Sequence, residues 1–150
     1  MTDIVSPEKR SANMAAIKAQ NTKPEMFIRK SLHHHGFRYA LHPTNVPGKP
    51  DIFLRKYNTA IFVNGCFWHR HNGCKYAYVP KSNCDFWDKK FKNNIARDIT
   101  VKTELADRHI KMLVIWECTI KDMLKNTDVE EKVIDDIIGF LKSDLSYREL

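Results

Sequence analysis

The segment from Gly65 to Asn83 is too rich in glycine, cysteine, histidine and proline to form a helix or a strand. A structureless loop of this length is uncommon inside a compact domain unless something cross-links it. Cys66, His71 and Cys74 in this loop are separated by four and by two residues, a spacing that lets one loop wrap a metal ion. We therefore expect a metal to hold the loop in place.

Cys118 is the predicted fourth ligand. It follows the predicted strand Met112–Trp116, which we expect to run beside the strand that ends at Asn64. A closed set of three cysteines and one histidine leaves no position for water, so the sequence predicts a structural Zn²⁺.

Other interpretations of the cysteines and histidines stay open at the sequence level. Cys84 could replace Cys118, and His69 could replace His71. The cysteines could also be buried without a metal. Since the N-terminal segment is charged and no secretion signal is visible, we expect reduced thiols in a cytoplasmic protein rather than disulfides.

The hydrophobic pattern predicts an α/β fold with a mixed β-sheet flanked by helices on both faces. We expect one domain over residues 1–150, with a short helical arm at about 7–20, including a helix at Ser11–Ala19, and a core at about 21–142. The predicted core elements, in chain order, are a helix at 22–36, strands at 37–41, 51–55 and 59–64, a long helix at 84–108, a strand at 112–116 and a closing helix at 127–141.

The net charge of +7 favours a polyanionic partner such as nucleic acid. Basic residues cluster on the predicted long helix, at Lys89, Lys90, Lys92 and Arg97. They are candidates for contacts with the DNA backbone, and the alternative is a solvated helix face. The longest apolar stretch is far shorter than the roughly 20 residues of a membrane span.

Asp51 follows Pro50 where a rigid turn enters a strand. A carboxylate held there, beside the backbone of Val63, is a suitable seat for Mg²⁺. Ordinary turn chemistry would also explain an aspartate at this position. Glu25 is accounted for locally, because it forms a capping box with Thr22.

His69 and Asp98 are candidates for acid–base chemistry. His69 lies in the loop. The pKa of a histidine side chain is ordinarily near neutrality, which suits a general base or acid. Asp98 is seven residues after Phe91, so we place it on the inward side of the long helix, where it needs a partner such as His69. The alternative is a surface pair of Asp98 with Arg97 or Lys102.

Three large aromatic residues, Phe67, Trp68 and Trp87, lie in the loop and at the start of the long helix. A short loop cannot bury all of them, so they are candidate wedges between DNA bases. The alternative is that they pack into the core of the domain.

Taken together, these residues resemble the very-short-patch mismatch repair endonucleases over roughly residues 9 to 120. The matching segments are Arg10–Met14, Thr22–Glu25, Pro47–Asp51, Ile61–His71, Phe86–Trp87, Asn94–Asp98 and Val114–Cys118. The resemblance implies a restriction-endonuclease-like core. It also implies a Mg²⁺-dependent enzyme that nicks one DNA strand 5′ of the thymine in T:G mismatches produced by 5-methylcytosine deamination.

The resemblance also implies roles for the candidate residues. Asp51 and the main-chain carbonyl of Val63 would bind Mg²⁺, His69 would activate water with Asp98 behind it, and Glu25 would support the metal-bound water. It assigns structural Zn²⁺ to Cys66, His71, Cys74 and Cys118, and DNA intercalation to Phe67, Trp68 and Trp87. We expect a monomer acting on double-stranded DNA, with other mismatch-repair proteins as further partners.

Two positions depart from this family pattern. Asn64 stands where some members have a histidine of the active-site water network, and an amide cannot exchange a proton near pH 7. Two residues, Asn72 and Gly73, separate His71 from Cys74 where some members have one. Both spacings reach around one ion, so we expect the zinc site to be retained.

Overall fold

Five strands form one mixed sheet in a computed structural model that describes residues 21–150. The strands are β1 (Ala40–Leu41), β2 (Ile52–Leu54), β3 (Thr59–Asn64), β4 (Lys111–Trp116) and β5 (Tyr147–Glu149). The helices are α1 (Lys23–His34), α2 (Cys84–Asp107), α3 (Glu117–Lys125) and α4 (Thr127–Leu141). The predicted arm and the helix at Ser11–Ala19 lie outside the described residues. No helix within 21–150 is long and apolar enough to cross a membrane.

The sheet order is β1-β2-β3-β4-β5. The first two pairs are antiparallel, whereas β3–β4 and β4–β5 are parallel. Helix α2 is the crossover that a parallel β3–β4 pair requires. The predicted mixed α/β architecture is confirmed.

Helix α1 begins where the sequence predicts. Thr22 is its N-cap, and the Thr22 Oγ1 accepts a hydrogen bond from the Glu25 N–H. The helix ends just before Gly36, whose φ of +89° belongs to the left-handed region that glycine adopts readily.

The sheet has an apolar layer on each face. Ile52, Leu54, Ile61, Leu113 and Ile115 pack with α1, α3 and α4 on one side. On the other side, Ala60, Met112 and Val114 pack with Leu105 of α2. The predicted placement of helices on both faces is confirmed.

Several predicted boundaries were wrong. The strand predicted at 37–41 is only Ala40–Leu41. The strand predicted at 51–55 ends at Leu54, because a 3-10 turn at Arg55–Tyr57 and a left-handed Asn58 complete the hairpin.

Two elements were missed altogether. Helix α3 buries little more than Ile120 and Met123, so its hydrophobic pattern is too short to be recognised. Strand β5 consists of the polar sequence Tyr-Arg-Glu, and its pairing depends on backbone hydrogen bonds such as the one from the Leu150 N–H to the Val114 carbonyl.

The predicted apolar face of α2 is only partly buried. Phe91 and Leu105 are buried, but Ile95 is 42% exposed and Ile99 is 61% exposed. A four-residue spacing drifts by about 40° per step around a helix of 3.6 residues per turn, so these side chains do not share one face. Ile95 and Ile99 line a cleft between α2 and the sheet.

Candidate active site and metal centres

A cleft of about 830 Å³ lies where α2 passes over the sheet. Asp51 from the start of β2, His69 from the loop after β3 and Asp98 from the middle of α2 all line it. The fold therefore brings three of the four predicted catalytic residues to one cavity from distant parts of the chain.

Asp51 is fixed by the antiparallel pairing of β2 and β3. Its Oδ2 accepts a hydrogen bond of 2.7 Å from the Val63 N–H. Burial raises the pKa of Asp51 to about 7, against the lowering effect of the Val63 N–H, and the nearby Glu25 carboxyl adds to the rise. A buried acid of this kind ionises readily when a cation is close. Val63 itself lines the cleft, and a metal-binding role for its carbonyl stays a prediction.

Glu25 lies behind Asp51 and is only 2% exposed. Its Oε2 accepts hydrogen bonds from the Asn21 N–H at 3.1 Å and from the Arg29 guanidinium at 2.6 Å. The Glu25 side chain therefore caps the N–H of Asn21 rather than that of Thr22. It also contacts Arg29, so capping is not its whole role.

His42 was not recognised from the sequence. Its Nε2 is 3.3 Å from the Glu25 Oε2, and its Nδ1 is 4.0 Å from the Asp51 Oδ1. Glu25, His42 and Asp51 each offer a ligand atom, and these atoms lie within 4.8 Å of one another. The available signal was a histidine directly before Pro43, on the same turn-rich segment that leads to Asp51.

His69 and Asp98 form a direct pair. The His69 Nδ1 is 2.8 Å from the Asp98 Oδ2, and both side chains are about one-third exposed. The loop is tied to α2 by the Asn94 Nδ2, which donates to the Trp68 carbonyl at 3.0 Å. Of the partners considered for Asp98, the structure favours His69 over Arg97 and Lys102. Asp98 lines the cleft rather than the core, and its partner His69 lies on the loop after β3.

Cys66, His71, Cys74 and Cys118 form a cluster whose ligand atoms lie within 4.8 Å of one another. The parallel register pairs Asn64 with Trp116, the last residue of each strand. Cys66 and Cys118, two residues beyond these strand ends, lie side by side, and the Cys118 N–H donates to the Cys66 Sγ at 3.4 Å. The Cys118 Sγ is 3.5 Å from the His71 Nδ1, close to the roughly 3.6 Å edge of a tetrahedron with Zn–S and Zn–N bonds.

The chemistry of the cluster also fits a metal. Burial, followed by the neighbouring thiol of Cys118, raises the pKa of Cys66 to about 12, so this thiol becomes a thiolate only beside a cation. Cys84 is exposed, with its Sγ 3.3 Å from the Lys81 carbonyl, and lies outside the cluster. The geometry thus selects Cys118 over Cys84 and His71 over His69 as members of the donor set.

An outer layer supports this cluster. The His71 ring stacks on Trp116 with centroids 4.1 Å apart and planes 6° apart. The Trp116 Nε1 donates to the Glu149 Oε1 at 2.8 Å. Glu149 belongs to β5, a strand that was not predicted from the sequence. Its hydrogen bond with Trp116 was therefore not predicted either.

The predicted wedge residues form an aromatic cluster beside the cleft. Its members are Phe67, Trp68, Tyr78, Phe86, Trp87 and Phe91. Phe67 is central, with ring centroids 5.0 to 5.4 Å from those of Trp68, Tyr78, Trp87 and Phe91. Phe91 is buried, whereas Trp68 and Trp87 are partly exposed. Tyr78 and Phe86, which were not among the predicted wedge residues, are exposed at the edge of this cluster.

The predicted backbone-contacting residues are all exposed on α2. Arg97 lines the cleft. The Lys90 Nζ lies 5.9 Å from the centre of the Trp68 ring, so positive charge adjoins the aromatic cluster. Lys92 pairs with Asp88 at 2.9 Å, which offsets part of its charge.

Comparison with known proteins agrees with this arrangement. A family model described as DNA mismatch endonuclease Vsr matches residues 2–75. The DNA mismatch endonuclease Vsr of Escherichia coli strain K12 is 33% identical over 128 residues, which cover 85% of this chain and 81% of the relative. The chain belongs to the Vsr family of DNA endonucleases.

Other Vsr-family relatives match more closely. The type II nicking enzyme V.NmeAIP of Neisseria meningitidis is 47% identical over 122 residues, covering 81% of this chain and 86% of the relative. The type II nicking enzyme V.XorIIP of Xanthomonas oryzae is 41% identical over 123 residues, covering 82% and 90%. The family resemblance seen in the sequence is confirmed.

Asn64, where some Vsr-family members have histidine, lines the cleft together with His42 and His69. Two histidines therefore line the same cavity as Asp51 and Asn64.

Proposed function

We propose that this Vsr-family endonuclease uses Mg²⁺ to nick one DNA strand 5′ of the thymine in T:G mismatches that arise from 5-methylcytosine deamination. The observation that carries the proposal is the shared cleft, which holds the half-buried Asp51 and the His69–Asp98 pair next to a partly exposed aromatic cluster. A relative named as a mismatch endonuclease and two named as nicking enzymes support the substrate and the single-strand cut.

In this proposal His69 is the general base for water. The Asp98 Oδ2 accepts a hydrogen bond of 2.8 Å from the His69 Nδ1–H, which leaves the Nε2 of the neutral ring unprotonated and able to take a proton from water. Asp98 also keeps the ring oriented and stabilises the imidazolium that forms. General-base catalysis of this type contributes about 10² to 10⁴ in rate.

Asp51, with the Val63 carbonyl, would hold Mg²⁺ at the other side of the cleft. The ion would supply an electrophilic clamp for the phosphate oxygens. The burial of Asp51 and the neighbouring Glu25 carboxyl fit this assignment, because two close carboxyls favour either a shared proton or a cation.

The aromatic cluster would provide discrimination between mismatched and paired DNA. A mismatched pair costs less to unstack than a Watson–Crick pair, so insertion of Phe67, Trp68 and Trp87 is easier at a T:G site. The exposed basic side chains of α2 would hold the backbone phosphates without reading sequence.

Zn²⁺ in the Cys66, His71, Cys74 and Cys118 cluster would act on architecture alone. The loop that it closes carries both His69 and two of the wedge residues, Phe67 and Trp68. We also infer a restriction-endonuclease-like core in a single domain that acts as a monomer, on the basis of the mixed sheet and the acidic residue at the start of β2.

The test is a strand-specific nicking assay. Zinc-loaded protein is incubated with a labelled T:G duplex and its matched duplex, with Mg²⁺ and without added divalent cation. EDTA is avoided because it would also compete for the cysteine-held zinc. We expect a Mg²⁺-dependent cut 5′ of the mismatched thymine only.

Two variants sharpen this assay. Asp51→Asn should remove Mg²⁺-dependent nicking, whereas Cys84→Ala should leave it unchanged, since Cys84 lies outside the zinc cluster. Equal cleavage of both duplexes would reject mismatch recognition, and full activity of Asp51→Asn would reject the metal site.

A further inference from the structure

We propose that His42 gives an imidazole nitrogen to the catalytic cation, and that Glu25 orients this ring instead of binding the ion. The inference rests on the proposed metal-dependent function and assigns a role to a residue that the family pattern did not point to. It would make the site a mixed nitrogen–oxygen centre.

His42 occupies the space between the two carboxylates. It is 14% exposed and lines the cleft beside Asp51. Its two ring nitrogens face different partners: the Nε2 is 3.3 Å from the Glu25 Oε2, and the Nδ1 is 4.0 Å from the Asp51 Oδ1. The ring thus connects the buried acid to the acid at the cleft.

The neighbouring Arg29 also reaches this ring. The Arg29 Nη2 contacts the Glu25 Oε2 at 2.6 Å and the Asn21 Oδ1, and it hydrogen-bonds to the His42 Nε2 at 3.3 Å. A guanidinium only donates, so the Nε2 accepts in this contact and the neutral ring carries its proton on the Nδ1. A cation bound at the Nδ1 would move that proton to the Nε2, which lies beside the Glu25 Oε2.

With the proton on the Nε2, the ring would have the arrangement found around metal-bound histidines. Such a histidine almost always donates its other ring N–H to a carboxylate, which fixes the tautomer and makes the ligand nitrogen more basic. Glu25, 3.3 Å from the Nε2, would be that carboxylate. The three contacts on its Oε2, from Asn21, Arg29 and His42, fit an orienting role better than a direct bond to an ion.

The separation between His42 and Asp51 also fits an ion between them. At 4.0 Å the Nδ1 and Oδ1 atoms are too far apart for a hydrogen bond. Two metal–ligand bonds of about 2.1 Å each span about 4.2 Å when they are opposite, so this distance fits an ion that takes the two atoms as nearly opposite ligands. The backbone of His42 has a φ of +47°, in the left-handed region that histidine and asparagine adopt more often than most residues.

An imidazole ligand changes the preferred cation. Mg²⁺ favours oxygen ligands, whereas Mn²⁺ and Co²⁺ accept imidazole more readily. We therefore expect this site to bind Mn²⁺ more tightly than Mg²⁺, and expect His42→Asn to reduce Mn²⁺ affinity by about 10-fold or more and Mg²⁺ affinity by less. Asparagine is chosen because it tolerates the left-handed backbone.

The test is pulsed electron paramagnetic resonance of Mn²⁺ bound to the zinc-loaded protein. We expect modulation from a directly bound nitrogen that changes frequency when histidine is labelled with ¹⁵N. The signal should vanish in His42→Asn and persist in His69→Gln, whose ring pairs with Asp98 instead. The labelled wild-type protein shows whether any histidine binds the ion even if His42→Asn folds poorly, and a signal that persists in His69→Gln excludes His69 as its source.

The outcomes separate this inference from the proposed function. Mn²⁺ that requires Asp51 but shows no histidine nitrogen overturns the role of His42 and leaves the nuclease proposal intact. A nitrogen signal that disappears only in His69→Gln also overturns it. If no Mn²⁺ binds at all, both the role of His42 and the metal-dependent nuclease proposal fail. Nicking without any divalent cation would confirm that the nuclease does not depend on a metal.

Discussion

At the scale of single residues, the cleft is organised by side chains that need a partner. Asp51 and Glu25 lie close enough for their carboxyls to raise the pKa of Asp51, and His69 is held by Asp98. Burying Asp51 beside Glu25 costs stability, and holding the His69 ring costs conformational freedom. Such costs are typically retained where they serve binding or catalysis. The consequences can be measured one residue at a time.

Replacing Asp51 by asparagine should stabilise the protein when no cation other than zinc is present. In the folded state the pKa of Asp51 rises from 3.8 to about 7, so the folded state binds more protons than the unfolded state within that window. The free energy of unfolding of the wild type should therefore fall between pH 4 and pH 8, by on the order of 2 to 4 kcal/mol, and this fall should be absent in Asp51→Asn.

Urea denaturation at several pH values measures this difference. Asp135→Asn, an exposed substitution on α4, is the matched control and should keep the wild-type slope. Added Mg²⁺ should stabilise the wild type and not Asp51→Asn. Parallel pH profiles for the wild type and Asp51→Asn would contradict the prediction.

Asp98→Asn should impair nicking more than Asp98→Ala. An asparagine amide can donate to the His69 Nδ1, which places the imidazole proton on the Nε2 and removes the base, whereas alanine leaves the tautomer free. We expect the loss for Asp98→Asn to approach that of His69→Ala, about 10² to 10⁴ in rate. Single-turnover nicking rates at saturating protein measure it, and equal rates for the two Asp98 variants would refute the tautomer argument.

At the scale of elements, the register between β3 and β4 decides the cysteine–histidine cluster. Both strands end at the Asn64–Trp116 pair, and the chain leaves them into the loop and into α3, which bring Cys66 and Cys118 together. Strand β5 then supports the cluster through Glu149 and Trp116. The loop has little regular structure of its own, so its order depends on these neighbours.

Cys118→Ala should release zinc and destabilise the loop, while Cys84→Ala should do neither. Loss of one ligand removes much of the roughly 10 kcal/mol that a structural zinc can contribute to folding, whereas an exposed thiol contributes less than about 0.5 kcal/mol. Zinc content per chain and proteolysis of the segment 65–83 measure both effects. Retained zinc in Cys118→Ala would show that the fourth ligand is wrongly assigned.

At the scale of the whole molecule, charge and aromatic surface coincide around one cleft. The exposed lysines of α2 stand near the aromatic cluster, and Arg97 enters the cleft itself. A polyanion is therefore attracted to the face on which Asp51 and His69 lie. The net charge of +7 favours the same class of partner.

Lys89→Ala and Arg97→Ala should each reduce the salt dependence of DNA binding. If each side chain neutralises one phosphate, the slope of log affinity against log salt concentration should become shallower by about one for each. Titrations of a T:G duplex without Mg²⁺, at several salt concentrations, measure it. Lys142→Ala, at the exposed end of α4, should leave the slope unchanged, and an equal effect there would indicate nonspecific charge attraction.

The sequence by itself determined the features that depend on neighbours along the chain. The cap at Thr22, the strand Thr59–Asn64, the long helix from Cys84 and the ligand spacing of the loop all follow from local patterns. Local patterns work here because backbone geometry and burial repeat within a few residues.

Only the tertiary structure decided which distant side chains meet. The contacts of His42 with Glu25, of Trp116 with Glu149, and the exposure of Ile95 and Ile99 in the cleft depend on strand register and on the position of α2 above the sheet. The periodicity of hydrophobic residues indicates which face of a helix or strand is buried, but not what that face packs against. Packing brings together segments that are far apart along the chain, and their separation in sequence does not give their distance in space.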